Sequence, residues 1–110
     1  SDKAISVGEN SYMKASGVNI ENVSIGAASK DGSQLILSNS KMTGIKKAGL
    51  MAYIKKTEYG PAEITAERLE YNSKTKKAIS QKENKIVIEG EEIQSDDLNV
   101  QELYVLEGKS

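Results

Sequence analysis

The sequence predicts an all-β fold made of four similar units stacked on one another. Three observations carry that prediction. Apolar and polar residues alternate at period two in short runs, turn-forming residues separate the runs, and one design of run, corner and run recurs four times.

The units are justified in order by four apolar slots each. In the first, Met13, Ala15, Val18 and Ile20 fill the slots around a Ser16-Gly17 corner. Twenty-two residues later come Leu35, Leu37, Ser40 and Met42 around Ser38-Asn39. Twenty-nine residues further on stand Ile64, Ala66, Leu69 and Tyr71 around Glu67-Arg68, and after another twenty-two Ile86, Ile88, Glu91 and Ile93 around Glu89-Gly90. Gly17, Asn39 and Gly90 tolerate a left-handed backbone at a sharp corner; Arg68 is the exception. A further short run precedes each unit, at residues 4–7, 27–30, 50–53 and 78–81. The turns that follow contain Glu9-Asn10, Asp31-Gly32, Tyr59-Gly60 and Glu83-Asn84.

A recurrence of this length implies stacking, because one unit alone cannot bury its apolar side. Equivalent slots then lie about 4.8 Å apart through parallel pairing. The expected core is Ile5, Met13, Ala15, Val18, Ile20, Leu35, Leu37, Met42, Ile64, Ala66, Leu69, Ile86, Ile88 and Ile93. Two alternatives remain. Val18, Ile20, Val23 and Ile25 also fit the template at a spacing of seventeen, and an antiparallel sandwich also contains many short strands. Helical spacing is hinted at only over residues 98–105.

Composition excludes several classes. The 110 residues contain no Cys, Phe, Trp or His and carry a net charge of −1, so no global basic field exists to hold nucleic acid. Nothing is apolar for long enough to span a bilayer. The Ser-Asp-Lys start reads as a segment of a longer or processed protein. Residues 1–95 are expected to form the stack and residues 96–110 a C-terminal capping segment or tail, with Leu98, Val100, Leu103, Tyr104 and Val105 folding over the last unit.

Three stretches, AISVGE at 4–9, ASKDGS at 28–33 and YIKKTEYGPA at 53–62, resemble a right-handed parallel β-helix module of the pectin-lyase-like superfamily. Such modules occur near the C-terminus of bacterial surface or secreted proteins with spore-coat-kinase-like or lamin-tail-like domains. The resemblance spans residues 2–95, with the third stretch the most specific. It implies a right-handed single-stranded parallel β-helix of about four short rungs and an extracellular or cell-surface setting. Fold does not transfer function, so the chemistry has to come from the residues.

Little chemistry is present. Absent histidine and cysteine remove the usual nucleophile pairs, the common zinc ligands and the neutral-pH acid–base residue. The lone arginine, Arg68, sits between glutamates and reads as a solvated ion-pair partner. Glu89, Glu91, Glu92, Asp96 and Asp97 cluster without the spacing of a calcium loop. No glycine-rich phosphate loop occurs. No enzyme, cofactor or metal is therefore expected. Charge is polarised: residues 41–77 hold nine basic and four acidic side chains, net +5, and residues 78–110 three basic and eight acidic, net −5.

The third unit is irregular. Thirteen residues separate Met51 from Ile64, against seven between equivalent positions in the second and fourth units. The excess contains the candidate binding residues Tyr53, Lys55, Lys56 and Tyr59 together with Pro61. Tyrosines can stack on a sugar and lysines can meet an acidic polymer or protein. The plainer reading packs Tyr53 inward and makes Tyr59-Gly60-Pro61 a rigid turn. The functional expectation is a non-catalytic structural or binding module touching glycan or protein through residues 53–63; the alternative is part of a polysaccharide-degrading enzyme. Nothing obvious covers residues 4–7, so residues 1–7 are expected to pair with another copy, end to end, or with a further N-terminal unit of the parent chain.

Overall fold

The computed structural model describes residues 3–93, and within them the chain is all-β. Its strands are β1 (Lys3–Val7), β2 (Tyr12–Ser16), β3 (Asn19–Glu21), β4 (Ile25–Lys30), β5 (Gln34–Thr43), β6 (Ala48–Tyr53), β7 (Glu63–Asn72), β8 (Lys76–Ser80), β9 (Lys85–Ile88) and β10 (Glu91–Glu92). They form two sheets, one in the order β1-β4-β6-β8, the other β10-β9-β7-β5-β2 with β3 also beside β5.

Alternation produces the strands, and matched slots produce their neighbours. Met13 pairs with Leu35, Leu35 with Ile64 and Ile64 with Ile86; Ala15, Leu37, Ala66 and Ile88 form the adjacent row. In the first sheet Ile5, Ala27, Leu50 and Ala78 line up in the same way. The corners at Gly17 (φ 70), Asn39 (φ 50) and Arg68 (φ 52) each use a left-handed residue. At Asn39 and Arg68 the strand bends and continues, so β5 and β7 each run for ten residues.

The expected single-stranded parallel β-helix is corrected, and the solenoid description falls with it. The strands divide between two sheets, their orientation is mixed, and the body is a compact 33 × 28 × 22 Å with a radius of gyration of 12.4 Å. Alternation specifies strands and matched slots specify lateral neighbours, but neither sets the number of sheets or the sense of the last connection. That sense is set at Glu89-Gly90. Both residues have positive φ, 51 and 83, and they alone connect β9 to β10. Two left-handed residues in a two-residue connection make the hairpin turn whose twist suits antiparallel strands. The chain therefore reverses: Glu91 pairs with Ile88, Glu92 with Val87, and Ile93 N–H donates to Ile86 C=O at 2.8 Å. The fourth unit does not repeat the first three.

The core has two parts. Between the sheets lie Ile20, Leu35, Leu37, Met42, Leu50, Ile64, Ala66, Leu69, Ile86 and Ile88, with Ile5, Ala15, Val18 and Ile93 half-buried against them. A second cluster, Ile25, Ala28, Ala48, Met51, Tyr53 and Ile79, occupies the other side of β4, β6 and β8. The central strands β4 and β6 are thus buried on both faces, as the unbroken apolar run Leu50-Met51-Ala52-Tyr53 requires. Its strands also approach closely: a Cβ on Gly49 would stand 2.6 Å from both the Lys77 carbonyl and the Tyr71 ring. Met13, expected in the core, is 40% exposed because β2 ends its sheet.

Candidate functional site

The loop between β6 and β7 is held by a buried carboxylate. Asp31, 1% exposed, directly follows β4 with a left-handed backbone (φ 52) that turns its side chain toward the third unit. Its Oδ1 accepts the Lys55 N–H at 2.7 Å and the Lys56 N–H at 2.8 Å. Asp31 N–H donates to the Tyr53 carbonyl at 3.1 Å, and the Asp31 carbonyl accepts from Asn10 N–H at 2.9 Å. Beyond this clamp Tyr59 N–H closes a turn onto the Lys56 carbonyl at 3.1 Å. Buried Asn84 holds the far end, accepting the Ala62 N–H on Oδ1 at 2.7 Å.

Of the four candidate residues, the fold leaves three at the surface. Tyr53 is fully buried and belongs to the second core cluster, so its ring cannot stack on a sugar; the glycan contact expected of it is corrected by that burial. Lys55 and Tyr59 are half-buried. Lys56 is exposed and pairs with Glu9, whose hydrogen bond and charge hold the ammonium above its ordinary pKa. Sequence reasoning placed Asp31 only in a turn. The signal that marks it is a short acidic side chain one position before Gly32 and facing an insertion, which is where a loop needs an acceptor.

The other sequence candidates take structural parts. Arg68, exposed at its corner, donates from Nε to Asn39 Oδ1. The Glu89 carboxylate accepts Arg68 N–H at 2.9 Å and Leu69 N–H at 3.1 Å, and these two bonds hold its pKa below the ordinary carboxylate value. Glu91 and Glu92 are exposed on β10, while Asp96, Asp97 and the expected capping residues lie outside the described residues. No helix among the described residues is long and apolar enough to cross a membrane.

Among the described residues, the first strand of each sheet has an unpaired outer side, as β8 does at the far end of the first sheet. β1 and β2 are the terminal strands of the two sheets at the same end, and neither has a partner on its outer side among the described residues. The bonds Gln34 N–H to Ser11 C=O (2.9 Å) and Gly17 N–H to Ser38 C=O (3.1 Å) set the phase of β2. In a parallel ladder every second residue bonds to one side, so Met13 and Ala15 point their backbone groups at β5. Tyr12, Lys14 and Ser16 point theirs outward. Tyr12 is 61% exposed and Met13 presents apolar surface beside it. At the other end of this sheet β10 already occupies the outer side of β9.

No family model, curated protein or solved structure matches the chain. The likeness to pectin-lyase-like modules therefore rests on the quoted residues alone.

Proposed function

We propose that this chain is a non-catalytic structural or binding module that joins other polypeptide through its open end, by strand pairing along β2 with β1 alongside. One observation carries the reading: Tyr12, Lys14 and Ser16 direct backbone donors and acceptors away from β5 at an edge that also exposes Met13. Such an edge is a template for another strand, and proteins that do not use one generally cover or blunt it. The tethered 54–62 loop adds a preorganised protein-contact surface through Lys55, Lys56 and Tyr59, since Asp31 has already ordered its backbone. An extracellular or cell-surface setting follows from the family resemblance alone and forms no part of the proposal.

The test is a labelled peptide with the sequence of residues 34–43, the strand type that β2 already accepts, titrated against the protein and read by fluorescence anisotropy. Binding is expected, and loss of binding in Lys14→Pro, because proline removes an outward N–H without breaking a bond to β5. Absence of binding, or equal binding by Lys14→Pro, overturns the reading.

A further inference from the structure

We propose that the open end takes a second copy of this chain, head to head, with β2 antiparallel to its counterpart about a two-fold axis at Lys14. The inference rests on the reading that this end pairs with polypeptide, and it names the partner.

Asymmetry between the two ends is the first argument. Head-to-tail growth would seat β2 of one copy on the outer side of β9 of the next. That side is occupied by β10, with Glu91 on Ile88 and Glu92 on Val87. The corner of β7 next to it is closed too, because Glu89 spends both carboxylate oxygens on Arg68 and Leu69 N–H. In this sheet, among the described residues, only the β2 end is left open, so one open end meets another; in the other sheet β8 also lacks an outer neighbour, and the two-fold rests on the β2 edge. A closed two-fold dimer follows, and not a filament.

Register is the second argument. The outward residues of β2 are Tyr12, Lys14 and Ser16, and an antiparallel ladder centred on Lys14 pairs Lys14 with itself and Tyr12 with Ser16 of the partner subunit. These are the positions at which an antiparallel pair exchanges both N–H···O bonds. The same centring sets Met13 opposite Ala15 of the partner subunit, on the side of β2 facing the core. The row Met13, Leu35, Ile64, Ile86 and the row Ala15, Leu37, Ala66, Ile88 then run on through the two-fold, covering the apolar surface Met13 exposes. A slip of one residue would turn inward-bonding Met13 and Ala15 to the new strand and leave the ladder without donors. The exposed Lys14 pair opposes like charges, so salt strengthens this dimer rather than weakening it.

Sedimentation equilibrium over a concentration series, at low and high salt, reads the stoichiometry. The chain has no cysteine, so a single Lys14→Cys reports the register, with Thr57→Cys in the exposed loop as control. A monomer–dimer equilibrium tightened by salt is expected, together with a disulfide-linked dimer of Lys14→Cys formed at least tenfold faster than that of Thr57→Cys. Lys14→Pro should be monomeric with an unchanged circular dichroism spectrum. A monomer at every concentration overturns the inference, as does an open-ended series of oligomers or equal cross-linking of the two cysteine variants. If the 34–43 peptide binds while the protein stays monomeric, the partner is wrong and the open-end reading survives; if neither occurs, both fall.

Discussion

Replacing Asp31 by alanine should destabilise the protein more than any other single change in the third unit outside the cores. The side chain is 1% exposed and one oxygen receives two backbone N–H groups at 2.7 and 2.8 Å. Hydrogen bonds to a charged acceptor contribute about 1.5–3 kcal/mol each. Lys55 is half-buried and Lys56 exposed, so water re-solvates the freed donors in part and the loss falls toward the lower end. A cost of about 2–4 kcal/mol results, a large share of the ~5–15 kcal/mol that stabilises a domain. For a chain of 110 residues the midpoint should drop by roughly 10–20 °C. Asp31→Asn keeps an oxygen but loses its charge and should cost less than half as much. Urea unfolding followed by circular dichroism reads all three proteins, with amide exchange at Lys55 and Lys56 showing whether the loop alone has loosened. A loss below about 0.5 kcal/mol for Asp31→Ala, the range of an ordinary surface substitution, would refute the clamp.

Other consequences follow from the same geometry. Leu37→Ala, at a fully buried position between Ala15 and Ala66, should cost about 2–5 kcal/mol in urea unfolding, whereas Met13→Ala at the open end should cost under ~1 in the monomer; equal losses would contradict the assigned core. Tyr53→Ala should lose about 3–5 kcal/mol and Tyr59→Ala little, so a surface-like tolerance at Tyr53 would restore it as a contact residue. Glu89 has a depressed folded-state pKa. Its stabilisation is present above the ordinary value of 4.5 and lost as pH falls through the lower folded value. The stability gap between wild type and Glu89→Gln should therefore be open at pH 7 and close below pH 4.5; a gap that persists in strong acid would mean the carboxylate charge is irrelevant.

Much of the fold was legible because side-chain alternation and corner residues are local signals. Leu35 and Leu37 lie beside Met13 and Ala15 as their slots predict, and Asn39 takes the left-handed backbone its residue type allows. Glu89-Gly90 was read as one more corner because a Gly suits both a bend and a reversal; only the backbone of Glu89 decides between them, and glutamate carries no strong preference for positive φ. The second cluster escaped because the slot template assumes one apolar face, although the continuous run Leu50-Met51-Ala52-Tyr53 signals two. That run also explains Tyr53, a candidate contact residue whose plainer reading packed it inward, and which lies in the core. Asp31 was invisible as a clamp because its partners are backbone amides twenty-four and twenty-five residues away, which have no side-chain signature. That β1 and β2 lack an outer neighbour among the described residues agrees with their place in the first unit of the series. The hydrogen-bonding phase of β2 is set by backbone bonds of Ser11 and Gly17 to β5, which have no side-chain signature.

Hydrogen exchange along β2, followed residue by residue by NMR at two protein concentrations, tests the open end most directly. Amides of Met13 and Ala15 should be protected at both, because they donate to β5. Those of Lys14 and Ser16 should exchange freely when dilute and gain protection on concentrating, as the outward ladder forms. Lys14 and Ser16 amides already protected in dilute solution would mean the edge is covered within one molecule; amides that stay unprotected at high concentration would mean it pairs with no second copy.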